Sequence, residues 1–232
     1  MRASVVTFTL VALVAVAALA SIARGPLQLD ALYPFKAGAC FGLIMLPVIG
    51  LLRAHHPFDR FGPANQITTV RAMLVAMIAA FIGGPRRPGV ASGAAIVSII
   101  VMALDGVDGW VARRSRVAST FGARFDMEID ALLILVLAIL VWQYDKAGPW
   151  VVLSGLLRYL FVAAGWLAPW LRRPLPPSRR RQTICVIQIA GLILAVAPVV
   201  TSPLSTVLAA VTLLALCYSF LVDTLWLWHH AA

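Results

Sequence analysis

The acidic residues that could hold a cation are concentrated in one part of the chain. Five of the nine are Asp105, Asp108, Asp126, Glu128 and Asp130, at the junction of two apolar runs. Asp105 and Asp108 are spaced to share one helical face, and Asp126 and Asp130 to share a face of the next helix. Glu128 points away from that face. Two antiparallel helices would therefore direct four carboxylates into one gap.

Four clustered carboxylates need a positive partner. An Asp at membrane depth costs about 2.5–3.5 kcal/mol on insertion scales, and neighbouring like charges repel each other. Ligands that offer only oxygen suit Mg²⁺ or Mn²⁺ and not zinc. Gly109 and Gly122 remove side chains beside the carboxylates, which lets a ligand or the neighbouring helix approach closely.

The elements that must position these residues are predicted to be membrane helices. The chain has 232 residues, of which 62% are hydrophobic and 12% charged, whereas a soluble domain is nearer half apolar and a quarter charged. Apolar stretches long enough to cross a bilayer are bounded by Gly and Pro and predict an all-α, polytopic membrane helix bundle. The eight stretches are 4–22, 37–53, 67–83, 89–111, 125–143, 150–170, 183–200 and 205–227.

Charge predicts the orientation of the chain in the membrane. Most of the 19 Lys and Arg residues fall on one side of the eight spans, and that side is expected to be cytoplasmic. The net charge of +10 is interpreted as arginines facing anionic lipid or substrate, with no nucleic-acid partner. We expect an integral protein of a bacterial inner (plasma) membrane with its active site facing the cytoplasm. The stretch 4–22 is either a span or a signal peptide.

The acidic motif resembles a family signature. The pattern Asp105-x-x-Asp108-Gly109-x-x-Ala112-Arg113, followed by Gly122-x-x-x-Asp126-x-x-x-Asp130, is similar at every fixed position to that of the CDP-alcohol phosphotransferases. The resemblance implies a six-helix catalytic core at 67–232 and makes 1–66 an additional region of about two spans. It also implies a CDP-linked lipid donor such as CDP-diacylglycerol, a small alcohol acceptor, CMP as leaving group, and a homodimer.

The resemblance also implies roles for individual residues. Asp105, Asp108 and Asp126 would hold two divalent ions, Mg²⁺ or Mn²⁺. Asp130 would touch a metal and take the proton from the acceptor hydroxyl, so that Asp126 and Asp130 form the catalytic pair. The residues assigned to the CDP donor are Gly109, Ala112, Arg113 and Gly122, with Arg113 on the diphosphate.

Three further cationic or polar features have two interpretations each. Asn65, Thr68 and Arg71 resemble the family segment beside the cytidine site, but Asn65 also suits a helix N-cap and Arg71 an arginine that snorkels to the interface. Arg158, in mid-span, binds either the acceptor or Asp223. The run of arginines at 179–181 either guides an anionic substrate or only sets the orientation.

Other functions compete with the transferase. A divalent-cation transporter explains clustered acids but not the fixed Gly, Ala and Arg positions. An intramembrane prenyltransferase usually separates its two acidic motifs more widely. Within the family, a CDP-choline or CDP-ethanolamine enzyme is the alternative. The acceptor is not readable, and Ala131 stands where many glycerol phosphate users carry Lys.

Overall fold

A computed structural model describes residues 2–55, 63–115 and 120–230, and side chains are not described at 2–6, 49–55, 63, 110–115 and 120–121. Within those residues the chain is helical and contains no β-strand. One helix corresponds to each apolar stretch of the sequence. The α-helices are α1 (Arg2–Arg24), α2 (Tyr33–His55), α3 (Pro63–Ala79), α4 (Pro88–Ser115), α5 (Thr120–Gln143), α6 (Leu153–Leu167), α7 (Arg179–Val196) and α8 (Leu204–His229).

Some of the described helices have the length and apolar composition of membrane spans. Among the described residues, four segments are long and apolar enough to cross a bilayer: Thr7–Arg24, Pro88–Gly109, Pro149–Leu167 and Leu204–His229. Two shorter apolar helices cover Tyr33–Val48 and Ala64–Ala79. Large apolar side chains such as Leu214 and Leu221 on α8 are exposed, as expected where lipid is the solvent. The predicted class, an all-α polytopic membrane protein, is confirmed.

Three helices end earlier than the apolar stretches suggest, and proline accounts for two of these ends. Ala168 and Ala197, the residues that precede Pro169 and Pro198, leave the helical conformation, because a proline ring clashes with a preceding helical residue. As a result α6 ends at Leu167 and is flanked by 3₁₀ turns at Pro149–Val152 and Pro169–Arg172. After α3 the chain turns at Gly83, whose φ of +74° suits a residue without a side chain.

The chain divides into two compact units, Met1–Leu132 and Leu133–Ala232. In the first unit, α1 and α2 pack on each other and on α3, which packs on α4. The buried side chains described on α1 and α2 recur every three or four residues and so form one face on each helix. On α1 they are Ala12, Val16 and Ala20, and on α2 they are Tyr33, Ala37, Phe41, Met45 and Val48.

Polar contacts also hold α1 and α2 against the end of α3. The ring of Tyr33 stacks on Phe81 with centroids 5.3 Å apart, and its hydroxyl donates a hydrogen bond of 3.0 Å to the carbonyl of Met77. That carbonyl is in the last turn of α3, where backbone acceptors lack helical partners. The guanidinium of Arg87 donates to the carbonyl of Gln28, so this arginine joins two turns of the first unit.

Glycines allow close helix contacts in the second unit. A Cβ atom placed on Gly155 of α6 would lie 2.3 Å from the Cα of Leu135 on α5. A Cβ on Gly191 of α7 would lie 2.4 Å from a methyl group of Thr212 on α8. Small residues of this kind let membrane helices approach closely enough for dense van der Waals contact.

We expect Gly155→Ala to destabilise the protein by about 1–3 kcal/mol, because the added methyl group meets backbone atoms that cannot rotate away. Thermal unfolding in detergent, followed by circular dichroism, measures this effect. Gly42→Ala on α2 is the control, since its Cβ would meet nothing within 4 Å and alanine is the better helix former. Equal melting temperatures for the two variants would contradict the close α5–α6 contact.

Candidate active site

A polar face of α3 begins the site. Asn65, Thr68 and Arg71 follow each other at intervals of three, which places them on one side of the helix, and all three are buried. The hydroxyl of Thr68 lies 3.1 Å from the carbonyl of Ala64 and 3.2 Å from a carboxylate oxygen of Asp108. The three residues of the Asn/Thr/Arg segment therefore face the protein interior.

Arg71 joins α3 to the acidic motif. Its guanidinium is bonded to all four motif carboxylates, which we call the carboxylate quartet: Asp105 and Asp108 on α4, and Asp126 and Asp130 on α5. Nη2 is 2.8 Å from Asp105 Oδ1, and Nη1 is 2.8 Å from Asp108 Oδ2. Nη1 also contacts Asp126 and Nη2 also contacts Asp130. The Arg71 side chain is 0% exposed, so it does not extend to the membrane interface.

The carboxylate quartet is buried on one side and open on the other. The side chain of Asp108, which also contacts Thr68, is 5% exposed, whereas that of Asp126 is 38% exposed. Asp105 and Asp130 lie between these extremes. A ligand can therefore reach the quartet from the side of Asp126, while Arg71 closes the side formed by α3.

The donor atoms of the quartet suit a hard divalent cation. Asp105, Asp108 and Asp126 each offer one carboxylate oxygen, and these oxygens lie within 4.8 Å of one another. The set contains only anionic oxygen, which Mg²⁺ and Mn²⁺ prefer. The residues present thus fit a divalent ion, and Asp130 is tied to the same three carboxylates through Arg71.

The other motif residues are only partly described. Gly109 follows Asp108 on α4, and Gly122 lies one turn before Asp126 on α5; both glycines are half-buried. The side chains of Ala112 and Arg113 lie outside the described residues. The assignment of these four positions to a CDP donor stays a prediction.

Comparison with known proteins identifies the family. The family model of the CDP-alcohol phosphatidyltransferases matches residues 61–225. The chain belongs to this family. The match begins just before α3 and ends within α8, and it contains the quartet and Arg71. The family predicted from the acidic motif is thereby confirmed.

One curated relative in the family has a named activity. The chain is 32% identical over 104 residues to the CDP-diacylglycerol–glycerol-3-phosphate 3-phosphatidyltransferase of Bacillus subtilis (strain 168). The aligned region is 40% of this chain and 54% of the relative, so the chain spans about half the length of the curated relative that it matches. No solved structure matches the chain.

The second unit contains ion pairs around a buried acid. Asp223 of α8, which is 7% exposed, is bonded to the guanidinium groups of Arg180 and Arg181 at the start of α7. Arg180 also donates to the backbone carbonyl of Ser219 at 2.7 Å. Arg158, the residue predicted to contact the acceptor or Asp223, is half-buried on α6.

Two of these contacts were not found from the sequence. The run at 179–181 was interpreted as a substrate guide or an orientation signal, yet Arg180 and Arg181 bind Asp223. The signal was available, because Asp223 is an acid within the last apolar stretch and such a residue needs a partner. The second contact is that of Arg71 with the quartet. The sequence indicated that these acids need a cationic partner and suggested Mg²⁺ or Mn²⁺, whereas Arg71 was interpreted as part of the cytidine site or as a snorkelling arginine.

We expect Asp223→Asn to lower the free energy of unfolding by about 1.5–3 kcal/mol, because it removes the charge from hydrogen bonds with two arginines. Thermal unfolding in detergent measures the change. Asp30→Asn is the matched control, since its ion pair with Lys36 is long, at 3.8 Å, and exposed and is worth at most about 1 kcal/mol. Equal stability of Asp223→Asn and the wild type would show that these ion pairs do not stabilise the α7–α8 contact.

Proposed function

We propose that the protein is a membrane transferase that moves a phosphatidyl group from CDP-diacylglycerol to an acceptor alcohol and releases CMP. One observation carries the proposal: the four aspartates of the family signature converge on a single point between α3, α4 and α5. Family membership supports the reaction class, and the name of the Bacillus subtilis relative supports CDP-diacylglycerol as the donor.

The carboxylate quartet is the proposed site of two divalent ions, Mg²⁺ or Mn²⁺. When bound, such ions would neutralise the negative charge of the donor diphosphate and of the departing CMP. The close approach of the oxygens of Asp105, Asp108 and Asp126 supports this assignment. The exposure of Asp126 supports entry of the donor headgroup from that side.

Asp130 is proposed to act as the base. A hydroxyl group is a poor nucleophile until a positioned base removes its proton, and Asp130 is not among the three carboxylates whose oxygens lie within 4.8 Å of one another. As its proton moves to Asp130, the acceptor oxygen forms a bond to the phosphatidyl phosphorus. The bond from that phosphorus to the CMP oxygen breaks, and its electron pair leaves with CMP. No covalent enzyme intermediate is required.

The remaining residues of the signature are assigned to the substrates. Arg113 would bind the donor diphosphate, since a guanidinium offers a fixed charge and a fork of hydrogen-bond donors. Gly109, Ala112 and Gly122 would leave room for the donor beside the quartet. Arg158 is proposed to bind the acceptor. Its guanidinium would bind most strongly to an acceptor that carries a phosphate group.

The N-terminal face of α3 is assigned to the donor as well. Asn65 and Thr68 are buried on the same face as Arg71, and we propose that they lie beside the cytidine. Because Arg71 is bonded to the quartet, its contribution to donor binding would be through the carboxylates.

The cellular context is proposed from charge and from the family. We place the protein in a bacterial inner membrane with the active site on the cytoplasmic face. The side of the membrane with more Lys and Arg residues in its loops is expected to be the cytoplasmic one. Residues 67–232 would form the catalytic core and 1–66 an addition of two spans. The protein is proposed to act as a homodimer.

The first test is release of CMP from CDP-diacylglycerol by the purified protein in detergent with Mn²⁺. We expect release to require an acceptor and to stop when EDTA removes the metal. Glycerol 3-phosphate comes first in the acceptor panel because the relative's name contains it, followed by inositol phosphate, serine and choline. CDP-choline and CDP-ethanolamine serve as alternative donors.

The outcome that contradicts the proposal is specific. If no donor releases CMP while protein-containing liposomes take up Mn²⁺, the chain is a cation transporter and the quartet is its permeation site.

Asp130→Asn is expected to reduce CMP release by at least about 100-fold, because general-base catalysis contributes about 10²–10⁴-fold. The same preparation should keep its helical circular dichroism spectrum and its elution volume. Glu128→Gln is the control, since Glu128 is an exposed acid on the same turn of α5. Wild-type turnover by Asp130→Asn would exclude Asp130 as the base.

A further inference from the structure

Arg71 and a divalent ion draw on the same carboxylates. The three residues with oxygens within 4.8 Å of one another are Asp105, Asp108 and Asp126. The guanidinium of Arg71 is bonded to each of them, through Nη2 to the first and through Nη1 to the other two. Any cation that these carboxylates ligate therefore competes with a positive group that is already part of the chain.

The charge balance makes the competition strong. The quartet carries four negative charges when ionised, and Arg71 compensates one of them. Arg71 is fully buried, and charges in a poorly hydrated site interact more strongly and are screened less by salt than charges at the surface. A guanidinium in contact with the ligand oxygens therefore repels a divalent ion more than a surface arginine does.

Arg71 also opposes the repulsion among the carboxylates. It is anchored on α3, while the quartet is divided between α4 and α5, and its two terminal nitrogens each contact one carboxylate from each of these helices. A single side chain thus draws the two acidic helix faces together. The same contacts that bring the ligands together reduce the negative charge available to a metal.

We propose that Arg71 is a positioning residue that holds the quartet together and competes with divalent ions for it, which sets their affinity below that of the four carboxylates alone. This inference deepens the proposed function and rests on its metal site. The direction in which metal affinity changes when Arg71 is removed distinguishes a competing residue from a purely structural one. Loss of a residue that only braced the ligands would weaken metal binding, whereas loss of a competitor strengthens it.

The test measures binding of Mn²⁺ alone to the purified full-length protein in detergent, without donor or acceptor. Electron paramagnetic resonance of free Mn²⁺ gives the dissociation constant. Arg71→Gln removes the charge and keeps a hydrogen-bonding side chain, and we expect it to bind Mn²⁺ at least tenfold more tightly than the wild type. Arg24→Gln, the same substitution at an exposed position of α1, should leave the dissociation constant unchanged.

A second pair of variants covers the case in which Arg71→Gln does not fold. The double variant Arg71→Gln with Asp130→Asn removes one positive and one negative charge, so its cluster has the same net charge as that of the wild type. Its reference is Asp130→Asn alone, which retains the three converging carboxylates. We expect the double variant to bind Mn²⁺ at least tenfold more tightly than this reference.

The outcomes distinguish this inference from the proposed function. Equal or weaker Mn²⁺ binding after loss of Arg71, in a protein that keeps its helical spectrum and elution volume, overturns the competition. If neither the wild type nor any Arg71 variant binds Mn²⁺, the metal site fails as well. If the wild type binds Mn²⁺ and transfers the phosphatidyl group but Arg71→Gln shows no gain, the proposed function stands and only the inference is lost.

Discussion

The convergence of four carboxylates, of which only Asp108 is fully buried, on one buried guanidinium is the constraint on which the site depends. Carboxylates at membrane depth are costly, and four of them on two adjacent helices repel each other unless a cation lies between them. Arg71 provides that cation from a third helix, and its own burial is tolerated because each terminal nitrogen has two carboxylate partners. One set of ion pairs thus links α3 to the acidic faces of α4 and α5.

The second unit also contains a buried charge with several partners, but the ratio of acids to bases is reversed. Asp223 is a single buried acid with two arginine partners, whereas Arg71 is a single buried base with four acid partners. The excess charge is positive at Asp223 and negative at the quartet. Only the quartet keeps an excess of negative charge that further cations can neutralise. This difference explains why a metal site is proposed at the quartet and not between α7 and α8.

The sequence predicted the helices of the described residues and the identity of the acidic face well, because both depend on local spacing. Apolar length and breakers are read along the chain, and the shared face of Asp126 and Asp130 follows from helical geometry alone. Helix ends were less accurate. The stretches 150–170 and 183–200 continued past Ala168 and Ala197, where the following proline had already ended the helix.

The family was readable from the sequence, because the Asp, Gly and Ala positions of the motif record a local requirement: carboxylates at helical intervals with room beside them. The partner of those carboxylates was not readable in the same way. Arg71 and Asp108 are separated by 37 residues, and helical periodicity gives the face of a side chain but not the helix that the face meets. Only the tertiary structure decided that Arg71 turns inward to the quartet and that Arg180 and Arg181 bind Asp223, since long-range ion pairs are selected by how helices pack and by the cost of leaving a buried charge without a partner.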